Sequence, residues 1–319
     1  MDGPPTYRVY WRINEECNFN CSYCDRRGLV RNRATRPPGS GGYDPEKIAA
    51  CFDATGHRWQ IVLRGGEPFL YKNFVPLAQA LTRRHIITVS TNLSTSTVVD
   101  FARTVSPDRV HAVYANLHPL EREKLPGSVP EFLGRIHLLQ DTGFKVTLVY
   151  VAYPPLIPRM MQDKEHFEAQ GVRRFSIRTF RGRYEGRLYP ESLTEADRRK
   201  IRKHAESKYE PDTVDGRLQS WGRICLSGFR AFRMDPNGNL TRCNTVTRSY
   251  GNLFDGSAHF DTRPRPCPAR RCGCPYQGLR FATNELAGGL STLKELCSSK
   301  LDSWRRERNA RASRNGTEG

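Results

Sequence analysis

Ten cysteines in a chain of 319 residues constrain this sequence more than any other feature. Eight of them fall into two groups. Cys17, Cys21 and Cys24 lie near the start; Cys225, Cys243, Cys267, Cys272 and Cys274 lie near the end; Cys51 and Cys297 stand alone. Secreted disulfide frameworks are usually short and dense in cysteine. This chain is long, and its start, Met1-Asp2-Gly3-Pro4-Pro5, lacks the basic-then-apolar pattern of a signal peptide. No apolar run approaches the ~20 residues of a membrane span; the longest, such as Val146–Tyr153, are of strand length. Grouped thiols in a reducing compartment read as ligands of metals or clusters, and a cytoplasmic location is expected.

Charge is the weaker clue. The chain carries 41 Arg and 10 Lys against 33 acidic residues, a formal charge of +18. Arginine is spread along the whole length rather than packed into one block. That pattern reads as solvated surface first, and as a basic cleft for an anionic substrate second. Phosphate contacts to nucleic acid would use such charge as well. Apolar residues at 37% suffice for a core and exclude wholesale disorder.

Six strand-like runs recur: Tyr7–Ile13, Trp59–Leu63, Ile86–Ser90, Arg109–Ala115, Lys145–Ala152 and Arg174–Thr179. Helix patterns lie between them, over Pro45–Gly56, Phe74–Arg84, Thr95–Thr104, Val129–Gly143 and Pro158–Gly171. Asp44-Pro45-Glu46 is a helix start, and Gly56, Gly143 and Gly171 mark helix ends. The alternation predicts an α/β fold, a partial (β/α)6 TIM-like barrel with its chemistry at the strand C-terminal ends. Beyond a charged helix at Leu193–Lys208 the pattern changes. Phe232 to Cys243 reads as strand, turn, strand around Pro236-Asn237-Gly238. The expected division is a barrel over 1–208, a small C-terminal iron–sulfur domain over 209–285, and a helix with a disordered tail over 286–319.

Two motifs carry the first chemistry. Cys17, Cys21 and Cys24 form a C-x3-C-x2-C directly after the first strand. Three thiolates on one loop can hold three irons of a [4Fe–4S] cluster and leave the fourth open. A structural zinc ion would need a fourth ligand, and His57, across a helix, is the nearest histidine. Gly65-Gly66-Glu67-Pro68 ends the second strand, where adjacent glycines let backbone approach a ligand and a carboxylate can take an ammonium group.

Together these motifs, with Tyr23 before the third cysteine, resemble the radical S-adenosylmethionine (SAM) superfamily over residues 7–185. The resemblance implies that Cys17, Cys21 and Cys24 ligate a cluster whose open iron binds SAM. It implies that the reduced cluster cleaves SAM to methionine and a 5′-deoxyadenosyl radical, which abstracts a substrate hydrogen. Gly65, Gly66 and Glu67 would hold the methionine end and Tyr23 would lie near the adenine. Ser90, Thr91 and Asn92 would lie near the ribose. Asn116 and His118 end the fourth strand as further candidates.

The second cysteine group resembles the auxiliary-cluster domains of that family, the SPASM and shorter twitch types. Cys225, Cys243, Cys267, Cys272 and Cys274 would supply one further [4Fe–4S] cluster and leave one thiol over; zinc is the alternative occupant. The implied cofactors are thus two [4Fe–4S] clusters and SAM. The spare thiol, one of Cys267, Cys272 and Cys274, is a candidate catalytic hydrogen donor. A substrate radical can lose an electron to the auxiliary cluster, giving a ketone or aldehyde, or take a thiol hydrogen from the opposite face and invert. Cys51 reads as core, in Ile48-Ala49-Ala50-Cys51-Phe52, and Cys297 as structural.

Arg178, Arg181 and Arg183, with Tyr184, follow the sixth strand and would face the barrel mouth toward a polar or acidic substrate. The first strand starts near Tyr7, which leaves no room ahead of it for a leader-peptide-binding domain, so a carbohydrate-like small molecule is the expected substrate. The layout resembles antibiotic-pathway epimerases and aminocyclitol dehydrogenases of the family. Epimerisation is favoured on the fifth cysteine, dehydrogenation is second and peptide modification third. A flavodoxin- or ferredoxin-type electron donor is the expected protein partner, with no membrane and no nucleic acid. The rival from another class is a zinc-containing nucleic-acid-binding protein.

Overall fold

The computed structural model describes residues 6–24, 43–204, 210–217 and 219–272. Cys274, Cys297 and the helix and tail expected after residue 286 lie outside the described residues. Strands and helices alternate through the first part of the chain: β1 Tyr7–Arg12, α1 Pro45–Ala54, β2 Trp59–Arg64, α2 Phe74–Thr82, β3 Ile86–Thr91, α3 Thr97–Thr104 and β4 Val110–Asn116. Then come α4 Pro119–Arg122, α5 Ser128–Asp141, β5 Val146–Ala152, α6 Met160–Ala169 and β6 Phe175–Thr179. A short hairpin follows, β7 Gly182–Tyr184 with β8 Arg187–Tyr189, then α7 Glu195–Lys203 and α8 Glu210–Val214. The last strands are β9 Ile224–Cys225, β10 Ala231–Met234, β11 Asn239–Thr241, β12 Ser249–Asn252 and β13 Arg265–Pro266.

One nine-stranded sheet dominates, in the order β12-β11-β10-β1-β2-β3-β4-β5-β6. Strands β1 to β6 pair in parallel, each with its neighbour in sequence. The period-two alternation of a strand divides the two faces. In β1, Val9 and Trp11 are fully buried on the helix side, while Arg8, Tyr10 and Arg12 are half-buried on the other. Helix α1 starts where Asp44 accepts a 2.9 Å hydrogen bond from the Glu46 N–H, with Pro45 in its first turn. It lays Ile48, Ala49 and Phe52 on the sheet. Burial of Phe52, Phe74, Phe101 and Phe132 in this layer stabilises the fold by about 1.5–3 kcal/mol apiece. Cys51 packs half-buried against the same core, as its apolar neighbours predict.

The sequence-read elements are present with shifted ends. The fourth strand starts at Val110 because Pro107–Arg109 closes a 3-10 turn capped by Ser106. The charged helix begins after Thr194, whose hydroxyl accepts from the Asp197 N–H at 3.1 Å. The hairpin around Asn237-Gly238 is closed by Asp235, whose carboxylate accepts from the N–H groups of Asn237 and Asn239. Its placement is the unexpected feature. Strand β10 runs parallel beside β1, with Arg8 opposite Ala231 and Trp11 opposite Met234, and the Trp11 indole N–H donates to the Asp235 carbonyl at 3.1 Å. The region expected as a separate domain over 209–285 thus adds three strands to the barrel sheet. It covers a β1 edge that would otherwise expose unpaired backbone groups. Among the described residues of that region, β9 and β13 form their own two-stranded sheet. Among the described residues no helix is long and apolar enough to cross a membrane.

Candidate active site

At the C-terminal ends of the parallel strands lies a cavity of about 480 Å³. Its wall takes residues from the ends of β1 to β6, from β10, and from the cysteine loop after β1. The sequence-named residues Cys17, Cys21, Tyr23, Cys24, Gly65, Gly66, Glu67, Ser90, Thr91, Asn92, Asn116 and His118 all line it. Parallel strands put their C-terminal ends on one side, so motifs dozens of residues apart meet there.

The cysteine loop carries a half-buried Cys17, a buried Cys21 and an exposed Cys24. Burial pushes the Cys17 thiol up to about 11, with Glu67 and Cys24 adding to it. Burial likewise pushes Cys21 up to about 12, with Glu121, Cys17 and Cys24 adding. Such thiols are protonated at neutral pH unless a cation stabilises the thiolate, which is what metal coordination does. Among the described residues no three His, Cys, Asp or Glu side chains converge closely enough to hold a single metal ion. A cluster that puts each thiolate on a different iron needs no such convergence, so three thiols on one loop beside an open cavity fit an iron–sulfur cluster with a free corner.

The two glycines line the cavity and also admit a second stretch of backbone. A Cβ on Gly66 would stand 2.0 Å from the Glu16 carbonyl oxygen, and one on Gly65 would stand 2.7 Å from that of Asn14. Their bareness lets the second strand press against the backbone leading into the cysteine loop. The Glu67 N–H donates to the Glu16 carbonyl at 2.6 Å, and the Asn14 side-chain amide donates to the Glu67 carbonyl at 2.8 Å. The Glu67 carboxylate, 1% exposed, accepts from Phe69 N–H, Thr91 hydroxyl and Asn92 N–H at 3.1, 2.6 and 2.6 Å. Burial raises it to about 7 against the pull of those donors. Of its roughly four acceptor positions, two are therefore spent on joining the ends of β2 and β3 and one on capping the turn at Pro68–Leu70.

Around the rim, Asn92 donates to Asn18 at 3.1 Å, and Asn116 donates to the Ser90 hydroxyl and the Thr91 carbonyl at 3.1 Å each. The Tyr23 hydroxyl shares a 2.5 Å hydrogen bond with Nδ1 of His118, which also stands 3.3 Å from the Cys21 sulfur. Burial pushes His118 down to about 3, assisted by Arg122, so its imidazole is neutral.

Arg122 is a residue the sequence reading missed. It is 1% exposed and stacks between Phe132 at 3.9 Å and Phe19 of the cysteine loop at 5.2 Å. It donates to the carbonyls of Leu117, at 2.7 Å, and Asn92, tying the ends of β3 and β4 beneath the loop. Nothing local sets it apart from the chain's other arginines. Of the group expected after the sixth strand, Arg178 lies within β6, and it and Arg181 line the cavity. Arg183 is exposed, and Tyr184 packs edge-on against Tyr153 at 5.3 Å.

The second cysteine group is drawn together by long-range pairing. Cys225 in β9 stands opposite Arg265 in β13, and the Cys267 N–H donates to the Arg223 carbonyl at 2.9 Å. Burial raises the Cys225 thiol, and the nearby Cys267 adds to it. Arg242, beside Cys243, is 7% exposed and donates to the Ser227 carbonyl at 3.0 Å and to those of Arg265 and Pro266 at 3.3 Å. It pins the Cys243 strand to the segments bearing the other two. Cys272 follows the bridge between Gln219 and Arg271. Among the described residues the cysteines that line the cavity are Cys17, Cys21 and Cys24.

Residues 11–167 match the family described as the radical SAM superfamily. A curated relative, the probable GTP 3′,8-cyclase of Pyrococcus abyssi, is 26% identical over 122 residues, 38% of each chain. The chain thus matches well under half of that relative's length. Among solved structures, anSMEcpe with bound AdoMet superposes with a TM-score of 0.54 at 14% identity, over 78% of both chains. SuiB of Streptococcus suis, bound to its precursor peptide SuiA, superposes with a TM-score of 0.56 at 15% identity, over 80% of this chain and 65% of that one. At these identities the likeness is one of fold.

Proposed function

We propose, for a chain whose residues 11–167 are a radical SAM superfamily domain, that the protein abstracts a hydrogen atom from a carbohydrate-like small molecule and inverts that carbon. The radical SAM domain makes it an enzyme using a [4Fe–4S] cluster and SAM, and the zinc-dependent binding protein gives way to it. When bound, those groups supply the carbon radical that removes the substrate hydrogen. Cys17, Cys21 and Cys24 hold the cluster. The backbone of Gly65 to Glu67 and the side chains of Tyr23, Ser90, Asn92 and Asn116 frame the SAM site.

What supports the reading is that the thiols of Cys17, Cys21 and Cys24 stand on one loop at the wall of a cavity built from the strand ends, the first two held protonated by burial. For the inversion, the support is the gathering of Cys225, Cys243 and Cys267. Four of the five cysteines as ligands leave one of Cys267, Cys272 and Cys274 able to return a hydrogen atom to the opposite face. The same gathering favours a second outcome, in which an auxiliary cluster accepts the electron and the substrate leaves as a ketone or aldehyde. An electron donor of flavodoxin or ferredoxin type completes the proposal.

The test is anaerobic reconstitution, iron counting and a SAM-cleavage assay with dithionite, followed by turnover in D2O. Two clusters give about eight irons. Inversion by an exchangeable thiol places solvent deuterium on the product carbon, whereas oxidation leaves none. Absence of 5′-deoxyadenosine would sink both outcomes.

A further inference from the structure

Between β4 and α4 the backbone leaves its ordinary range at His118. The residue has φ 47° and ψ 61°, the left-handed region that side chains other than glycine rarely enter. Such a conformation persists only where the surroundings over-determine it, and such positions cluster at functional sites. Here both flanks are pinned. The Leu117 N–H donates to the Val149 carbonyl at 3.0 Å, and the His118 carbonyl accepts from the N–H groups of Glu121 and Arg122 at 3.1 and 3.2 Å. The corner so formed touches the cysteine loop at Phe19, Asn20, Cys21 and Tyr23. The His118 ring meets Phe19 edge-on at 5.8 Å, and the Glu121 carboxylate accepts from the Asn20 N–H at 3.2 Å. Nδ1 of His118 lies 2.5 Å from the Tyr23 oxygen and 3.3 Å from the Cys21 sulfur.

A bond to Tyr23 alone would secure the loop. The second contact falls on a cysteine that holds the cluster. A ring nitrogen is donor or acceptor according to the tautomer its neighbours select, with no change in ring charge. The Cys21 thiol can donate to a bare Nδ1. Once its proton has gone to solvent on ligation, the thiolate can only accept, and it selects Nδ1–H. The Tyr23 hydroxyl is both donor and acceptor and fits either state. We propose that His118 is a positioning residue acting through Cys21: in the loaded protein its Nδ1–H donates to the Cys21 thiolate and raises the reduction potential of the cluster held there. The proposal rests on the reading of Cys17, Cys21 and Cys24 as cluster ligands. Hydrogen bonds to ligand sulfurs are among the levers that set cluster potentials, and drawing electron density from the sulfur favours the reduced state.

The test uses the reconstituted full-length protein, isotopically labelled at histidine nitrogen alone. The cluster of interest is the one whose EPR signal changes on adding SAM. Before SAM is added, pulsed EPR of its reduced form should show coupling to a histidine nitrogen, and His118→Asn should abolish that coupling. His118→Leu should shift the reduction equilibrium at least tenfold toward the oxidised form, a potential lower by about 59 mV for one electron. His118→Asn should recover most of the shift, because asparagine offers an amide N–H in place of Nδ1–H and tolerates the left-handed backbone. Tyr23→Phe, which spares the sulfur contact, should shift the potential less than His118→Leu. A merely mechanical latch would lower iron content in His118→Leu and Tyr23→Phe but leave the potential of the loaded fraction unchanged, and that result overturns the proposal. Should His118→Leu load no iron, the wild-type coupling decides, and its absence overturns the proposal. Wild-type protein that forms no cluster responsive to SAM removes the enzyme reading and this inference with it. SAM cleavage without histidine coupling removes the inference alone.

Discussion

The two cysteine groups are built by different physics. Cys17, Cys21 and Cys24 sit within eight residues on one loop, so their meeting costs little chain entropy. What that loop needs is a rigid bed: Gly65, Gly66 and Glu67 supply it from the end of β2, and Arg122 from α4 after β4. Cys225 and Cys267 are 42 residues apart and meet only because β9 pairs with β13 and Arg242 ties in the Cys243 strand. The first group is a local motif on a global scaffold. The second is itself a product of tertiary structure, and so is more exposed to disruption from a distance.

Replacing the members of each group separates them with the largest effect. Cys17→Ala, Cys21→Ala and Cys24→Ala together should abolish SAM cleavage and remove about four irons per chain, with the C-terminal iron retained. Cys225→Ala with Cys267→Ala should remove the other about four irons and stop product formation, yet leave 5′-deoxyadenosine formation in the uncoupled assay. If the second variant also loses the first cluster, the two regions are one cooperative unit and the contrast fails. Individual Cys267→Ala, Cys272→Ala and Cys274→Ala then locate the spare thiol, as the variant that keeps full iron but loses deuterium incorporation.

The scaffolds differ in how much they tolerate. Gly66→Ala drives a Cβ to 2.0 Å from a backbone oxygen that no side-chain rotation can clear. It should cost more than about 3 kcal/mol, read as a lower unfolding midpoint and lower iron in the cysteine loop. Arg122→Met strands the buried carbonyls of Leu117 and Asn92, at about 2–6 kcal/mol. Arg242→Met strands one buried carbonyl, that of Ser227, beside two at exposed residues, and should cost about 1–3 kcal/mol. Chemical denaturation orders the three. If Arg242→Met proved the most damaging, the C-terminal group would be the better buttressed of the two.

Local chemistry explains what could be read from sequence and what could not. The C-x3-C-x2-C spacing, the Gly-Gly-Glu strand end and the six β-rich runs announce themselves within a few residues, and each lies where its pattern predicts. The reach of β10 to β1 does not, because it joins Arg8 to Ala231 across the whole barrel. Nor does the use of Gly65 and Gly66, which their own neighbours leave open: a ligand or a second backbone segment satisfies the same requirement for a missing Cβ. Arg122 is invisible for a third reason. Its role is set by the Phe19 and Phe132 rings above and below it, which only the folded chain brings there.

The smallest effect concerns the far end of the barrel, where His85 links β3 to α1. It is 1% exposed, its Nδ1 accepts from the Trp59 N–H at 3.3 Å, and its Nε2 lies 3.2 Å from Asp53. Burial lowers it to about 4, with Asp53 opposing. The unfolded chain binds this proton near the ordinary value of 6.5 and the folded chain does not. Stability from the neutral ring is therefore full above about 6.5 and is lost as pH falls toward about 4. Protonation would also cancel the Trp59 bond, since a charged imidazole has no acceptor. The C-terminal strands rest instead on Tyr250, whose hydroxyl donates to Asp261 at 2.7 Å and which burial raises to about 12, outside that range. Once the intrinsic pH dependence of amide exchange is divided out, protection of the β2 and β3 amides should thus fall severalfold at pH 5 against pH 7, while that of β10 to β12 changes less. His85→Gln should flatten the difference. An equal fall in both sets would show that the barrel and its appended strands open together, and the two regions would share one stability.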